Sequence, residues 1–207
     1  MKKNLVNIGI KAKKASKIKI NTRDKNKVLN NFLNLINKNK NIILRENNKD
    51  IKYAIENKIP ENLIDRLTLN PKKLEEIQDS IKNIIKLNDP IDKVIDKWKR
   101  PNGLIIRRVS TPIGVIGIIY ESRPNVTSDV SSLCFKSGNA IILKGGSEAY
   151  NSNIIIANLF RDALKKNNID HNFVQIIKNK NRKSVDYLLS KMEKFIDIII
   201  PRGGKNL

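Results

Sequence analysis

The sequence predicts an α/β protein in which N-terminal helices pack on a parallel sheet. Three observations carry that reading. The stretch TPIGVIGIIYESRPNVTSDVSSLCFKSGNAIILKGG, from Thr111 to Gly146, joins a strand, a polar turn, a helix, a second strand and a glycine pair. After it, short apolar strands alternate with helix-length segments, the order of right-handed βαβ units in a Rossmann-like sheet. Before it, apolar residues recur mainly at three- and four-residue steps.

Taken in order, Leu5, Ile8, Ala12 and Ala15 form the stripe of an amphipathic helix. Asn21 or Thr22 is placed to cap a second helix, with a wide apolar face of Val28, Leu29, Phe32, Leu33, Leu35 and Ile36. A third is expected from about Asn41 to Asn57 on Ile43, Ile51, Ala54 and Ile55, closed by Pro60. Glu61 to Leu67 reads as a short helix, and Pro71 opens a longer one on Leu74, Ile77, Ile81 and Ile84. Pro90 and Pro101-Asn102-Gly103 are punctuation, and Leu104 to Val109 reads as a strand with Arg107 and Arg108 on opposite faces.

Ile113 to Tyr120 is apolar apart from two glycines, as in a strand buried on both faces of a parallel sheet. Ser122-Arg123-Pro124-Asn125 breaks it. A helix is expected over Val126 to Ser137, closed by Gly138-Asn139, and a strand over Ala140 to Lys144. The remaining elements are a helix (Ile154 to Lys166), a strand (Phe173 to Ile177), a helix (Lys183 to Met192) and a strand (Phe195 to Ile200). The chain then ends in the loop Pro201-Arg202-Gly203-Gly204 and three further residues.

At 207 residues and 40% hydrophobic, the chain has the composition of an ordinary globular core. It has no run of about 18 apolar residues, so no membrane span is expected. Lysines interrupt the apolar positions of its first twenty residues, and no signal-peptide core forms, which reads as cytoplasmic. One cysteine and one histidine exclude an intramolecular disulfide and a Cys/His zinc site. The net charge of +21 raises nucleic acid as a partner. The lysines are dispersed, however, and mixed with Asn and Ile, all encoded by A- and T-rich codons, without interleaved aromatics, so none is expected.

Open α/β sheets bind ligands outside the carboxyl ends of their strands, and the candidate site residues fall there. Asn125 either aims its carboxamide at a developing oxyanion or caps the helix after it. Lys144 either reaches a ribose or phosphate or is a solvated lysine. Gly145-Gly146 and Gly203-Gly204 are possible phosphate cradles, though neither has GxGxxG or GxxxxGK[ST] spacing. Arg123 and Arg202 are candidate phosphate ligands or ordinary surface residues. Cys134, mid-helix between Leu133 and Phe135, reads as an inert buried thiol, and His171 as a solvated loop residue.

With these residues in place, the chain resembles the N-terminal half of γ-glutamyl phosphate reductase, the glutamate-5-semialdehyde dehydrogenase of proline biosynthesis and a branch of the aldehyde dehydrogenase superfamily. The most specific segments are VIGIIYESRPNVTSDVSSLCFKSGNAIILKGGSEA, LIDRLTL around Arg66, and FIDIIIPRGG. The resemblance implies an aldehyde dehydrogenase-like cofactor domain, with residues 1–110 as its helical part and 111–207 as its βα units, and no catalytic domain. It implies an NADPH-dependent oxidoreductase converting γ-glutamyl phosphate to the semialdehyde and phosphate through a cysteine thioester. Asn125 falls at the oxyanion position, Lys144 with Gly145 and Gly146 at the cofactor's adenosine end, and Gly203 and Gly204 at its pyrophosphate. The family's nucleophilic cysteine lies beyond position 207, so a C-terminal half is expected as a separate chain or as a lost one, and homo-oligomers are possible. A non-catalytic nucleotide-binding or scaffold protein is the alternative class.

Overall fold

A computed structural model describes residues 2–203. Five helices come first: α1 (Lys2–Ala15), α2 (Thr22–Lys38), α3 (Lys40–Glu56), α4 (Glu61–Leu67) and α5 (Pro71–Lys86). Strands β1 (Val94–Lys99) and β2 (Ile105–Val109) follow, then β3 (Val115–Tyr120), α6 (Pro124–Lys136), β4 (Ala140–Gly145), α7 (Tyr150–Lys166), β5 (Val174–Ile176), α8 (Lys183–Lys191) and β6 (Ile198–Arg202).

The main sheet is parallel, in the order β5-β4-β3-β6. Its centre is apolar, as the glycine-bearing strand predicts: every residue of β3 is buried, and Ile118 pairs with Leu143 on one side and Ile200 on the other. Pro201 sits in β6, the outer strand, where a missing N–H costs no ladder bond. One apolar core joins α1, α2, α3, α5, α6 and α7 to this sheet. Phe160 is its hinge point, with ring centroids 4.7 Å from Phe32 and 5.7 Å from Phe135.

Local signals set the helix ends. Asn21, rather than Thr22, caps α2 by accepting the Asp24 N–H at 2.8 Å, and Asn70 accepts the Lys73 N–H at 2.8 Å ahead of Pro71. Gly138, at φ +73°, closes α6 in a Schellman turn: its own N–H donates to Phe135 O and that of Asn139 to Cys134 O.

Four expectations need correction. β1 has no counterpart in the sequence reading; it pairs antiparallel with β2 in an exposed ribbon, where one face carries too few apolar residues to show a period. Ile55 of α3 is 60% exposed, and the inward face carries Asn47 and Asp50 instead. Helix α7 begins four residues early, at Tyr150, because the buried Asp50 carboxylate accepts the N–H groups of Asn151 (3.0 Å) and Ser152 (2.7 Å). The last strand begins at Ile198 rather than Phe195, since Phe195 and Ile196 turn back to Met192 O and the ladder opens with Asp197 N–H to Val115 O. No helix among the described residues is long and apolar enough to cross a membrane.

Candidate functional site

The carboxyl ends of β3, β4 and β6 open into three adjoining clefts. The largest, about 400 Å³, is lined by Lys144, Gly145, Gly146, Glu148, Ser122 and Lys180, among others. A second, of about 210 Å³, shares Leu63, Tyr120, Glu121 and Ser122 with it and adds Arg66, Arg123, Arg202 and Gly203. A third, of about 280 Å³, shares Arg66 and Arg123 and holds Asn125 and Asp129.

Lys144 is not a solvated lysine. It is 5% exposed in β4, and its Nζ donates to the Gly145 carbonyl at 2.8 Å. Burial pulls its pKa below the usual lysine range, with the Glu148 carboxylate opposing. Ser122, at the end of β3, donates to Glu148 at 2.9 Å and fixes that carboxylate beside the cleft.

Gly145 is required by space. A Cβ there would run into the Asn153 carboxamide and lie 3.2 Å from the Tyr120 ring. Thr127 donates to Asn153 Oδ1 at 2.9 Å, so the Tyr120 hydroxyl, 2.7 Å from Thr127 Oγ1, donates to it in turn. Burial raises the Tyr120 phenol pKa, and the Thr127 hydrogen bond opposes it. The buried Asn153 Nδ2, against Gly145, has no partner among the described residues. At Gly146 a Cβ would meet the Glu148 carboxylate. A glycine-lined backbone edge with a buried cation beside it suits a polar, anionic ligand.

Asn125 stands apart from this group. It is the second residue of α6, and its Nδ2 donates to Asp129 at 3.3 Å, which removes the capping reading. Arg123 occupies the cap position, and its side chain caps nothing. Asp129 also accepts from Ser80 Oγ at 2.8 Å, tying Asn125 to α5. Gly203 lines the middle cleft, and Gly204 lies outside the described residues.

Two further candidates have settled environments. Cys134 is buried and free, and burial pushes its thiol pKa up to about 12. His171 is half-buried in a short 3₁₀ turn rather than solvated, and burial and then the Arg161 cation hold its pKa below the usual histidine range. Among the described residues no three His, Cys, Asp or Glu side chains gather as a metal site. The sequence reading missed the Ser122–Glu148 pair and the Asn153 amide. Glu148 follows the glycine pair closely, but nothing local marks Asn153.

No family model matches the chain. Among curated proteins, the gamma-glutamyl phosphate reductase of Nautilia profundicola is 48% identical over 199 residues, covering 95% of this chain and 48% of its own length. The enzyme of Carboxydothermus hydrogenoformans is 42% identical over 205 residues, covering 98% of this chain and 49% of its own length. This chain is homologous to the N-terminal half of gamma-glutamyl phosphate reductase. It therefore spans about half the length of the curated relatives it matches. The gamma-glutamyl phosphate reductase structure from Thermotoga maritima superposes with a TM-score of 0.95 at 40% identity, over 98% of this chain and 49% of that one. An engineered glycolyl-CoA reductase with bound NADP+ shares the fold, with a TM-score of 0.69 at 14% identity, over 98% of this chain and 43% of that one.

Proposed function

We propose that the chain is the cofactor-binding half of a reductase that converts γ-glutamyl phosphate to glutamate semialdehyde and phosphate in proline biosynthesis, with NADPH as its cofactor. The observation that carries this is Lys144: a buried ammonium beside Gly145, where an added Cβ would meet the Asn153 amide, and Gly146, where it would meet the Glu148 carboxylate. The residues present fit a dinucleotide, since the Lys144 cleft offers the Lys144 and Lys180 cations, the Ser122 hydroxyl and the Glu148 carboxylate beside a glycine-lined backbone edge. Lys144 and Glu148 would hold its ribose end and Gly203 with Gly204 its pyrophosphate. The bound NADP+ of the engineered reductase of like fold supports a nucleotide here. When bound, NADPH supplies the hydride.

In this reading Asn125 is the oxyanion donor. Its carboxamide, now held by Asp129, would turn to a tetrahedral oxygen and stabilise it by about 3 kcal/mol, as single donors do in acyl-transfer sites. Residues 1–110 and 111–207 serve as one cofactor domain, supported by their common core. The nucleophilic cysteine and the rest of the catalytic site come from a C-terminal half, on the same or a separate chain. The ribbon of β1 and β2, with Ile95 58% exposed and Trp98 41% exposed, is a surface for self-association. The setting is cytoplasmic.

The test is reconstitution. The chain is mixed with the C-terminal half of the Nautilia profundicola relative, and NADPH-dependent semialdehyde formation is measured. Activity in the mixture alone supports the proposal. Cofactor binding without activity favours the rival reading, a non-catalytic nucleotide-binding protein.

A further inference from the structure

Three arginines from distant parts of the chain meet at the middle cleft: Arg66 near the end of α4, Arg123 ahead of α6 and Arg202 at the end of β6. Among the described residues no hydrogen bond or ion pair with protein engages any of the three guanidinium groups. Glu121 is the one carboxylate lining this cleft, against three guanidinium groups. The N-terminus of the 13-residue α6 opens beside it, adding partial positive charge. A small, open, cationic cleft of about 210 Å³ suits a tetrahedral oxyanion, because guanidinium forks match phosphoryl oxygens.

Two neighbours define which anion. On one side Tyr120 and Ser122 also line the Lys144 cleft, which seats the cofactor's ribose end, and Gly203, at the pyrophosphate, sits at the edge the two ligands would share. On the other, Arg66 and Arg123 also line the cleft that holds Asn125. A group seated on the arginines would therefore lie next to the carboxamide assigned to the reacting acyl oxygen. We propose that Arg66, Arg123 and Arg202 hold the phosphoryl group of the acyl-phosphate substrate and so set the specificity of the site for an activated over a free acid. This rests on the reading of the chain as part of an acyl-phosphate reductase. All three arginines are exposed, which gives the released phosphate a route to solvent.

The test is calorimetric titration of the purified chain with inorganic phosphate at low salt, with glutamate and NADPH as separate probes. Arg66→Gln, Arg123→Gln and Arg202→Gln are each expected to weaken phosphate binding about tenfold, the loss of one charge-assisted contact. Arg66→Gln and Arg123→Gln should leave NADPH binding unchanged, while Lys144→Ala weakens NADPH and leaves phosphate alone. Exposure makes misfolding from these changes avoidable, and Arg66→Lys, which keeps the charge but loses the fork, should fall between wild type and Gln. Phosphate affinity that is absent, indifferent to the arginines or lost in Lys144→Ala overturns the inference. So does glutamate binding at the arginines without phosphate, which would assign them to a carboxylate. Arginine-dependent phosphate binding without NADPH binding keeps the inference and removes the cofactor reading instead.

Discussion

Asp50 and Ser152 lie 102 positions apart in sequence, yet the Asp50 carboxylate accepts both the backbone N–H and the hydroxyl of Ser152, each at 2.7 Å. With the two contacts to Asn151, this makes Asp50 the N-terminal cap of α7, whose own cap residue, Ala149, has no side-chain oxygen. The helix that backs the Lys144 cleft is thereby anchored to the N-terminal helices. Asp50→Ala should destabilise the chain by about 2 kcal/mol, from a lost cap and stranded buried donors. Urea denaturation measures it, and a midpoint within error of wild type would refute the assignment.

Gly145→Ala should destabilise by about 1–3 kcal/mol through overpacking. The added methyl meets the Asn153 amide, so Asn153→Ala should recover part of the loss in the double variant. Strictly additive effects would place the strain elsewhere.

Cys134 should be silent to thiol reagents at pH 8 in the folded chain, because its buried thiol has a pKa of about 12 and almost no thiolate exists. One equivalent should react after unfolding. Fast labelling of the native chain would reopen Cys134 as a nucleophile.

Two carboxylates make stability depend on acid. At Asp197 burial raises the pKa, but Lys13 and the Val115 N–H outweigh it and the net shift is downward. At Asp89 burial is likewise outweighed by Lys25, the Ile91 N–H and Thr22. Both folded pKa values lie below the unfolded ones, so their contribution is full above the ordinary carboxylate range and is lost as pH falls below about 4. Urea midpoints should be flat near neutrality and drop in that window, and Asp197→Asn should flatten part of the drop. An unchanged slope in Asp197→Asn would contradict the pairing.

Most helices were legible because their signals are local. Asn21, Asn70 with Pro71, and Gly138 each act within a few residues, and the stripes on α1, α2 and α5 report one buried face. The fully buried strand β3 was legible from its apolar run. What failed was set at long range. Helix α7 starts where Asp50 reaches it, and Ile55 faces solvent because α3 turns Asn47 and Asp50 inward to bind Leu69 and Ser152. At the site, the positions of Lys144 and Asn125 were legible from strand ends, but their environments were not. Lysine is usually solvated, and only the packing of β4 shows that this one is buried. Asn125 looked like a cap because the helix was expected to start at Val126, and Pro124 begins it two residues sooner.

The central claim is that the Lys144 cleft holds NADPH, and the most direct measurement is a titration of the purified chain with NADPH beside its Lys144→Ala and Asn125→Ala variants. Saturable binding is expected, weakened about tenfold by the lysine change and unaltered by the asparagine change, as for one lost charge-assisted contact. No binding, or equal and negligible effects of the two substitutions, would contradict it.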